Sequence, residues 1–379
     1  RKGGAGTRPR QLKGIIPHRI LARYLNGWFP ILSAFKGQLL YLDCHAGRGR
    51  HASGDAGSPI LVLEKLLGHQ HLSRILDRVA IACHFFELND LNANLLCQEI
   101  TRIGPLPSRI STHVHRTDYE SALSQALDGL ERAGTELPPS FAFIDPFGFK
   151  LSMPFMNRLL TAGKTEALIN FMYRYVDMAL RVPDKSTILD ELFGTGEWRS
   201  LTSINNHEKR FEATVKLFSD QLKAEHIFWV VMRGDSGAIK YVLFHATNSL
   251  KGWQVMKRAL WHELPDGSFT AYERDRPEQG ILISVTRSPD RAITELIENH
   301  FGGKTVWLKD DVYPVVDASL CRRKHAHEIL RRAIGRGVVR NLTEPGRLTV
   351  TRNPRLEIPA FLPETLAKED EVEQTDMFR

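Results

Sequence analysis

The sequence predicts an α/β protein built on a mostly parallel, Rossmann-like sheet, followed by a smaller helical domain. Three observations carry that prediction. Apolar runs of strand length alternate with amphipathic helical stretches through the first half of the chain. Successive runs end in an acidic residue, at Asp43, Glu87 and Asp145. The run before Asp43 breaks into a loop bearing Gly47 and Gly49. Strands of this kind are buried on both faces of a parallel sheet, and their carboxyl ends open onto a ligand crevice.

The 379 residues are 42% hydrophobic and 25% charged, ordinary for a globular protein and enough for two domains. No apolar run reaches membrane-spanning length and no secretory-signal core is visible, so a cytoplasmic setting without membrane is expected. Arg1 stands first rather than Met, as in a chain trimmed at its N-terminus. Cys44, Cys83, Cys97 and Cys321 lack Cys-x-x-Cys spacing, which points to reduced thiols and no metal. Net charge is +7, and residues 1–24 contain Lys and Arg but no carboxylate. A second basic cluster holds Arg322, Arg323, Lys324, Arg331 and Arg332. Two such patches favour a polyanionic partner such as nucleic acid, with solvated helix faces as the plainer alternative.

Residues 1–36 read as a basic segment and a helix, from Ile15 to Phe35, that Pro30 should kink or break. A Rossmann-like domain is expected over 37–262. In its first strand, Leu39–Asp43, the terminal carboxylate can accept from a ligand ammonium or hydroxyl, while Gly47 and Gly49 let backbone approach that ligand. Ser58 suits an N-cap and Pro59 the first turn of a helix running to Leu67, whose free amides favour a ligand carboxylate. The second strand, Ala80–Glu87, ends where nucleoside-binding folds hold a ribose. A helix from Asp90 to Arg102 leads to a third strand, Ile110–His115, after which Asp118 can accept from an adenine amine. His45 and Asn89 complete the candidate ligand-binding set. Each acid taken alone is more often a helix cap or a surface residue.

The buried run Phe141–Ile144 ends in Asp145-Pro146-Phe147-Gly148. Proline stops ladder pairing and stiffens the exit from the sheet, and Phe147 offers a flat apolar face. The tetrapeptide resembles the Asp/Asn-Pro-Pro-aromatic loop of amino-methyltransferases, in which the acid accepts from a target amine and the ring stacks on its base. Its plain alternative is a strand terminator. A fifth strand, Glu166–Tyr173, should expose Asn170 and Tyr173 near its end, and 174–222 reads as a helical insertion over the crevice. Strands Ile227–Arg233 and Ile239–Ala246 flank Gly234-Asp235-Ser236-Gly237, a hairpin signal. Five parallel strands closed by an antiparallel hairpin are what the seven-stranded class I methyltransferase sheet requires. A dehydrogenase-type sheet would need Gly-x-Gly-x-x-Gly, which this loop lacks.

Residues 263–358 suggest a winged-helix-like domain: a helix over 290–300, a basic helix over 318–334, then a β-pair joined by Thr343-Glu344-Pro345-Gly346. Such modules bind nucleic acid or dock proteins. The acidic end, 359–379, is expected to be disordered.

The pieces "ILARYLNGWFPIL" (20–32), "YLDCHAGRGR" (41–50), "GSPILVLEKLL" (57–67), "FFELND" (85–90), "FIDPFGF" (143–149), "LINF" (168–171) and "HATNSLKGWQVMKRALW" (245–261) resemble, in order, the three-Cys-motif partner protein family, TcmP. Members usually carry Phe and Pro where this chain has His45 and Arg48. The resemblance implies a methyltransferase-like domain and a genomic partner that is a three-cysteine, radical S-adenosylmethionine-like protein. Taken together, these readings imply an S-adenosylmethionine-dependent methyltransferase with nucleic acid as its favoured substrate. Asp43, His45, Gly47, Gly49, Glu87, Asn89 and Asp118 would hold the cofactor, and Asp145, Pro146 and Phe147 would serve catalysis. Two alternatives stay open. One is a non-catalytic partner subunit; the other is a nuclease or hydrolase with Asp145, Glu87 and Asp118 on Mg²⁺.

Overall fold

The computed structural model describes residues 16–234, 236–264, 270–272, 289–349, 352–363 and 366. The basic stretch 1–14 lies outside them. Strands β1 (Gly37–Asp43), β2 (Val79–Phe86), β3 (Ile110–His115), β4 (Ser140–Ile144) and β5 (Thr165–Phe171) are parallel neighbours in the order β3-β2-β1-β4-β5. The hairpin of β6 (His226–Arg233) and β7 (Ile239–Thr247) follows, with β7 antiparallel to both β5 and β6. The resulting order, 3-2-1-4-5-7-6, is a mixed α/β, Rossmann-like core, and β8 (Thr270–Tyr272) adds a short edge strand parallel to β6.

Every residue of β4 and β5 is buried, as continuous apolar runs in a doubly covered sheet require. One face carries Leu40, Leu42, Ala142, Ile144, Ala167 and Ile169 into the main core. Helices α5 (Tyr119–Ala133) and α6 (Met153–Thr161) supply Leu123, Met156 and Leu159 to that core. On the other face Tyr41 and Phe141 stack, and Phe141 meets Tyr24 and Trp28 of α1 (Ile16–Leu32). The helix α1 runs through Pro30 to Leu32 rather than breaking there. The remaining helices of this face are α2 (Ser58–Leu67), α3 (Leu72–Leu76) and α4 (Asp90–Ile103).

Several expectations are corrected. The segment after β5, with α7 (Tyr173–Ala179), α8 (Ser186–Phe193) and α9 (His207–Gln221), is a core-filling crossover to β6. It buries Val176, Leu189, Phe193, Val215 and Phe218 in the main core. Asn170 and Tyr173 are buried, 7% and 1% exposed. Gly57, not Ser58, caps α2.

Helix α10 (Leu250–Glu263) belongs to both compact units: the first takes the described residues up to Val255 with 270–272, the second those from Met256 with 289 onward. In the second unit, α11 (Pro289–Phe301), β9 (Thr305–Trp307), α12 (Tyr313–Ala318), α13 (Arg323–Gly335), β10 (Arg340–Asn341) and β11 (Arg355–Glu357) follow in order. Its strands form an antiparallel sheet, β10-β11-β9, over a core of Ile293, Ile297, Ile329, Leu330 and Leu356. The basic helix expected over 318–334 begins only at Arg323, as α13, and Ser319–Arg322 separate it from α12. There the buried Lys257 ammonium donates to the carbonyls of Val316, Asp317, Ser319 and Cys321. The start of the acidic tail is packed, because Leu362 and Leu366 enter this core.

Candidate active site

The carboxyl ends of the parallel strands fall on one edge of the sheet. Asp43 is level with Phe85 on β2 and Phe143 on β4. Glu87 and Asp145 each follow two residues beyond those partners, and Asp118 lies past the end of β3. Backbone bonds continue the alignment: the Cys44 amide donates to Phe143, the Ala46 amide to Phe86 and the Glu87 amide to His115. The predicted acids are therefore gathered at one edge.

Asp43 is fully buried. The Tyr41 hydroxyl donates to its Oδ2 at 3.3 Å, while Oδ1 has no hydrogen-bond partner among the described residues. Burial raises its pKa from 3.8 to about 7, with the Asp145 charge adding to the rise and the Ser58 hydroxyl and His45 amide opposing it. Ser58 thus faces the first strand tip instead of capping its own helix. The turn beyond is asymmetric. Gly47, at φ +63°, has open space where a Cβ would stand. Gly49, at φ +85°, is packed against α4, and its Cβ would lie 3.2 Å from Leu96 and Glu99. The chain then makes a small hairpin: Arg50 bridges to Ala56, and the Gly57 amide returns to the Gly49 carbonyl at 2.7 Å.

His45 packs edge-on against Tyr119, centroids 4.9 Å apart, and its Nδ1 is buried without a partner. Burial pulls its pKa down to about 4, only partly offset by Asp118. Glu87 accepts from the Asn89 amide at 2.7 Å, and Asn89 accepts from the Asn92 amide as the cap of α4. Asp118 caps α5 through the Ser121 amide and hydroxyl. Asn89 and Asp118 thus cap the N-termini of their helices, while Glu87 caps none.

On the far side, Asp145 Oδ1 accepts from the side-chain Nδ2 of Asn170 at 2.6 Å, leaving Asn170 Oδ1 buried without a partner among the described residues. Burial raises the Asp145 pKa, opposed by Asn170 and by the charge of His51. Pro146 is buried, whereas Phe147 is fully exposed at the tip of a turn that Gly148 closes at φ +105°. Sequence reasoning missed Asn170 as the partner of Asp145, and it missed His51 and its neighbour His18. Only the position of Asn170 at a strand end hinted at the first.

Among the described residues no group of three or more His, Cys, Asp or Glu converges as a metal site. The four cysteines are free. No helix among the described residues is long and apolar enough to cross a membrane. A cavity of about 280 Å³ between α7, α9 and the β6–β7 turn is lined by Tyr173, Asp177, His207 and Ile239, and none of the candidate site residues borders it.

In the second unit the basic cluster is mostly committed. Arg323 pairs with Asp317, Lys324 with Glu328, and Arg332 with Asp290. Arg322 is half-buried and Arg331 is exposed.

No family model matches the chain, and no curated protein matches it. Among solved structures, protein LPL1258 from Legionella pneumophila str. Philadelphia 1, of family-model DUF519, aligns with a TM-score of 0.34 at 14% identity, covering 64% of this chain and 86% of that one.

Proposed function

We propose that this protein is an S-adenosylmethionine-dependent methyltransferase acting on nucleic acid. The observation that carries the reading is the Asp43 carboxylate, wholly buried at the tip of the central strand with one oxygen unpartnered. Such an oxygen is costly unless a ligand donates to it, and a ligand ammonium is the donor that would also restore its charge. The open space at Gly47 admits the backbone side of that ligand. A parallel sheet with an antiparallel strand between its fifth and sixth members is also the strand order of class I methyltransferases.

In this reading Asp43, His45 and the Gly47 turn hold the methionine moiety, Glu87 with Asn89 the ribose, and Asp118 the adenine. Gly49 supports the turn from behind. When bound, S-adenosylmethionine supplies a methyl group already activated on sulfur. Asp145 accepts from the acceptor amine, fixed in direction by Asn170. Pro146 stiffens the loop, and the exposed Phe147 ring gives a base a stacking face. Alignment and exclusion of water then carry most of the rate.

The helix–strand–helix–helix–strand–strand order of the second unit, with its antiparallel sheet, supports a winged helix whose wing is the turn after β10. Its exposed Arg331 and Arg347 suit phosphate contact. Membership of the three-Cys-motif partner family, with its radical S-adenosylmethionine-like partner, belongs to the same proposal.

Calorimetry tests the reading. S-adenosylmethionine and S-adenosylhomocysteine should bind the wild type and fail to bind Asp43→Ala. Absence of binding by both to the wild type removes the methyltransferase reading. A thermal shift with Mg²⁺ alone would then favour the hydrolase.

A further inference from the structure

The edge that carries Asp145 also carries two imidazoles that the proposed reaction has not yet used. His51 is exposed on the small hairpin after Gly49, and its ring lies over that of His18 from α1, centroids 6.1 Å apart and planes 25° apart. His18 is 8% exposed and meets the edge of Phe143 at 6.2 Å, two residues before Asp145. A helix, a loop and a strand thus bring His18, His51 and Asp145 to one side of the site.

The loop is pinned in place. Arg50, the residue before His51, pairs with Glu64 of α2 at 2.9 Å and with Glu99 of α4 at 3.0 Å, and it donates to the Gly54 carbonyl. The His51 amide donates to the Asp55 carbonyl at 2.9 Å, and the His51 carbonyl accepts from Gly54 at 2.9 Å. The backbone that carries this imidazole is therefore held, and the ring itself rests on His18. Burial keeps His18 neutral, its pKa pulled down to about 4, so it can stack on His51 in either charge state. The charge of His51 in turn favours ionised Asp145.

We infer that His51 takes the proton released by the methyl-accepting nitrogen, with His18 positioning its ring. This rests on the methyltransferase reading. In the step, the nitrogen–carbon bond forms as the carbon–sulfur bond breaks. The surplus proton on nitrogen passes to the imidazole of His51 and from there to water. An exposed imidazole suits that hand-over better than the partly buried Asp145, which is held by Asn170 and orients the amine. The titratable groups shown to interact with His51 are His18 from α1 and Asp145 after β4.

The test uses the full chain, S-adenosylhomocysteine for binding, and single-stranded RNA and DNA oligonucleotides with labelled S-adenosylmethionine for transfer. His51→Gln should bind S-adenosylhomocysteine as the wild type does. It should lose roughly a hundredfold or more in transfer rate, together with the pH dependence that a single proton acceptor gives. His18→Gln should likewise bind S-adenosylhomocysteine and transfer more slowly, and His18→Phe, which keeps a flat ring beneath His51, should recover part of that loss. If S-adenosylhomocysteine fails to bind the wild type, the methyltransferase reading falls and this inference with it. If it binds but His51→Gln transfers at the wild-type rate, only this inference is overturned.

Discussion

The Tyr24 hydroxyl on α1 donates to Glu166 Oε2 on β5, across a separation of 142 residues. Trp28, one turn further along α1, donates its indole N–H to Oε1 at 3.0 Å. His245 on β7 lies 3.6 Å from the same carboxylate, and a Cβ at Gly252 would come within 2.2 Å of it. One buried acid thus fastens α1, two neighbouring strands and the first turn of α10. Two of the family-like stretches in the sequence, 20–32 and 245–261, meet at this anchor and not at Asp43.

Removing a donor from a buried carboxylate leaves the charge under-solvated. Tyr24→Phe should therefore cost about 1–3 kcal/mol in urea denaturation. Despite its burial, hydrogen bonds and His245 hold the Glu166 pKa below its ordinary 4.5. A depressed folded-state pKa means that the contribution is complete above 4.5 and is lost as pH falls through the folded value. The acid limb of the stability profile should flatten in Glu166→Gln. A mutant profile parallel to that of the wild type would show that Glu166 does not carry the limb.

What the sequence made legible was local. The third strand, Ile110–His115, and the helix Ser58–Leu67 stand where their apolar spacing and flanking turn residues put them. The β6–β7 hairpin follows from its glycine turn. The common edge for Asp43, Glu87 and Asp145 followed from each closing a buried run. What was not legible depended on partners distant in sequence. Asn170 turns inward because Asp145, 25 residues earlier, offers it an acceptor. Ser58 turns from a cap to a neighbour of Asp43 because Gly57 must sit against the Gly49 carbonyl, where a Cβ would come within 2.9 Å. Gly47 and Gly49 look alike in sequence, yet only the second has a helix behind it.

Asp43→Asn separates stability from binding. Burial lifts the carboxyl from 3.8 to about 7, so its contribution is complete below 3.8 and is lost as pH rises through 7. At pH 8 the ionised group then costs on the order of 4 kcal/mol, which a neutral amide avoids. The substitution should raise the melting temperature at pH 8 and leave it nearly unchanged at pH 3.5, while abolishing the binding of S-adenosylmethionine. A mutant less stable than the wild type at pH 8 would contradict the burial of a charge here.

The two glycines of the turn should answer differently to alanine. Both have positive φ and carry a strain cost of about 1 kcal/mol. At Gly47 that is the whole structural cost, since nothing lies within 4 Å of the new Cβ. Its methyl would instead occupy the space proposed for the ligand. Gly47→Ala should weaken S-adenosylhomocysteine binding at least tenfold with little change in melting temperature. Gly49→Ala must also push against Leu96 and Glu99 and should destabilise by a further 1–3 kcal/mol, roughly. Calorimetry and thermal melts on the pair would expose a reversed order.

Neighbouring arginines in α13 make the last contrast. Arg332 donates to Asp290 Oδ2 and to the Leu366 carbonyl, each at 2.7 Å, tying α11 and the start of the acidic tail to its own helix. Arg332→Ala leaves a mostly buried carboxylate behind and should cost about 2 kcal/mol of stability in the second unit. Arg331 points outward from the same turn. Its replacement by Ala should leave stability within about 0.5 kcal/mol. If the helix tracks a phosphate backbone, that replacement should also weaken binding to a short duplex and reduce the salt dependence by about one counterion. Fluorescence anisotropy over a range of salt concentrations reads the slope directly. A slope unchanged by Arg331→Ala would take this face of α13 off the nucleic acid, leaving the basic cluster as a scaffold of internal ion pairs.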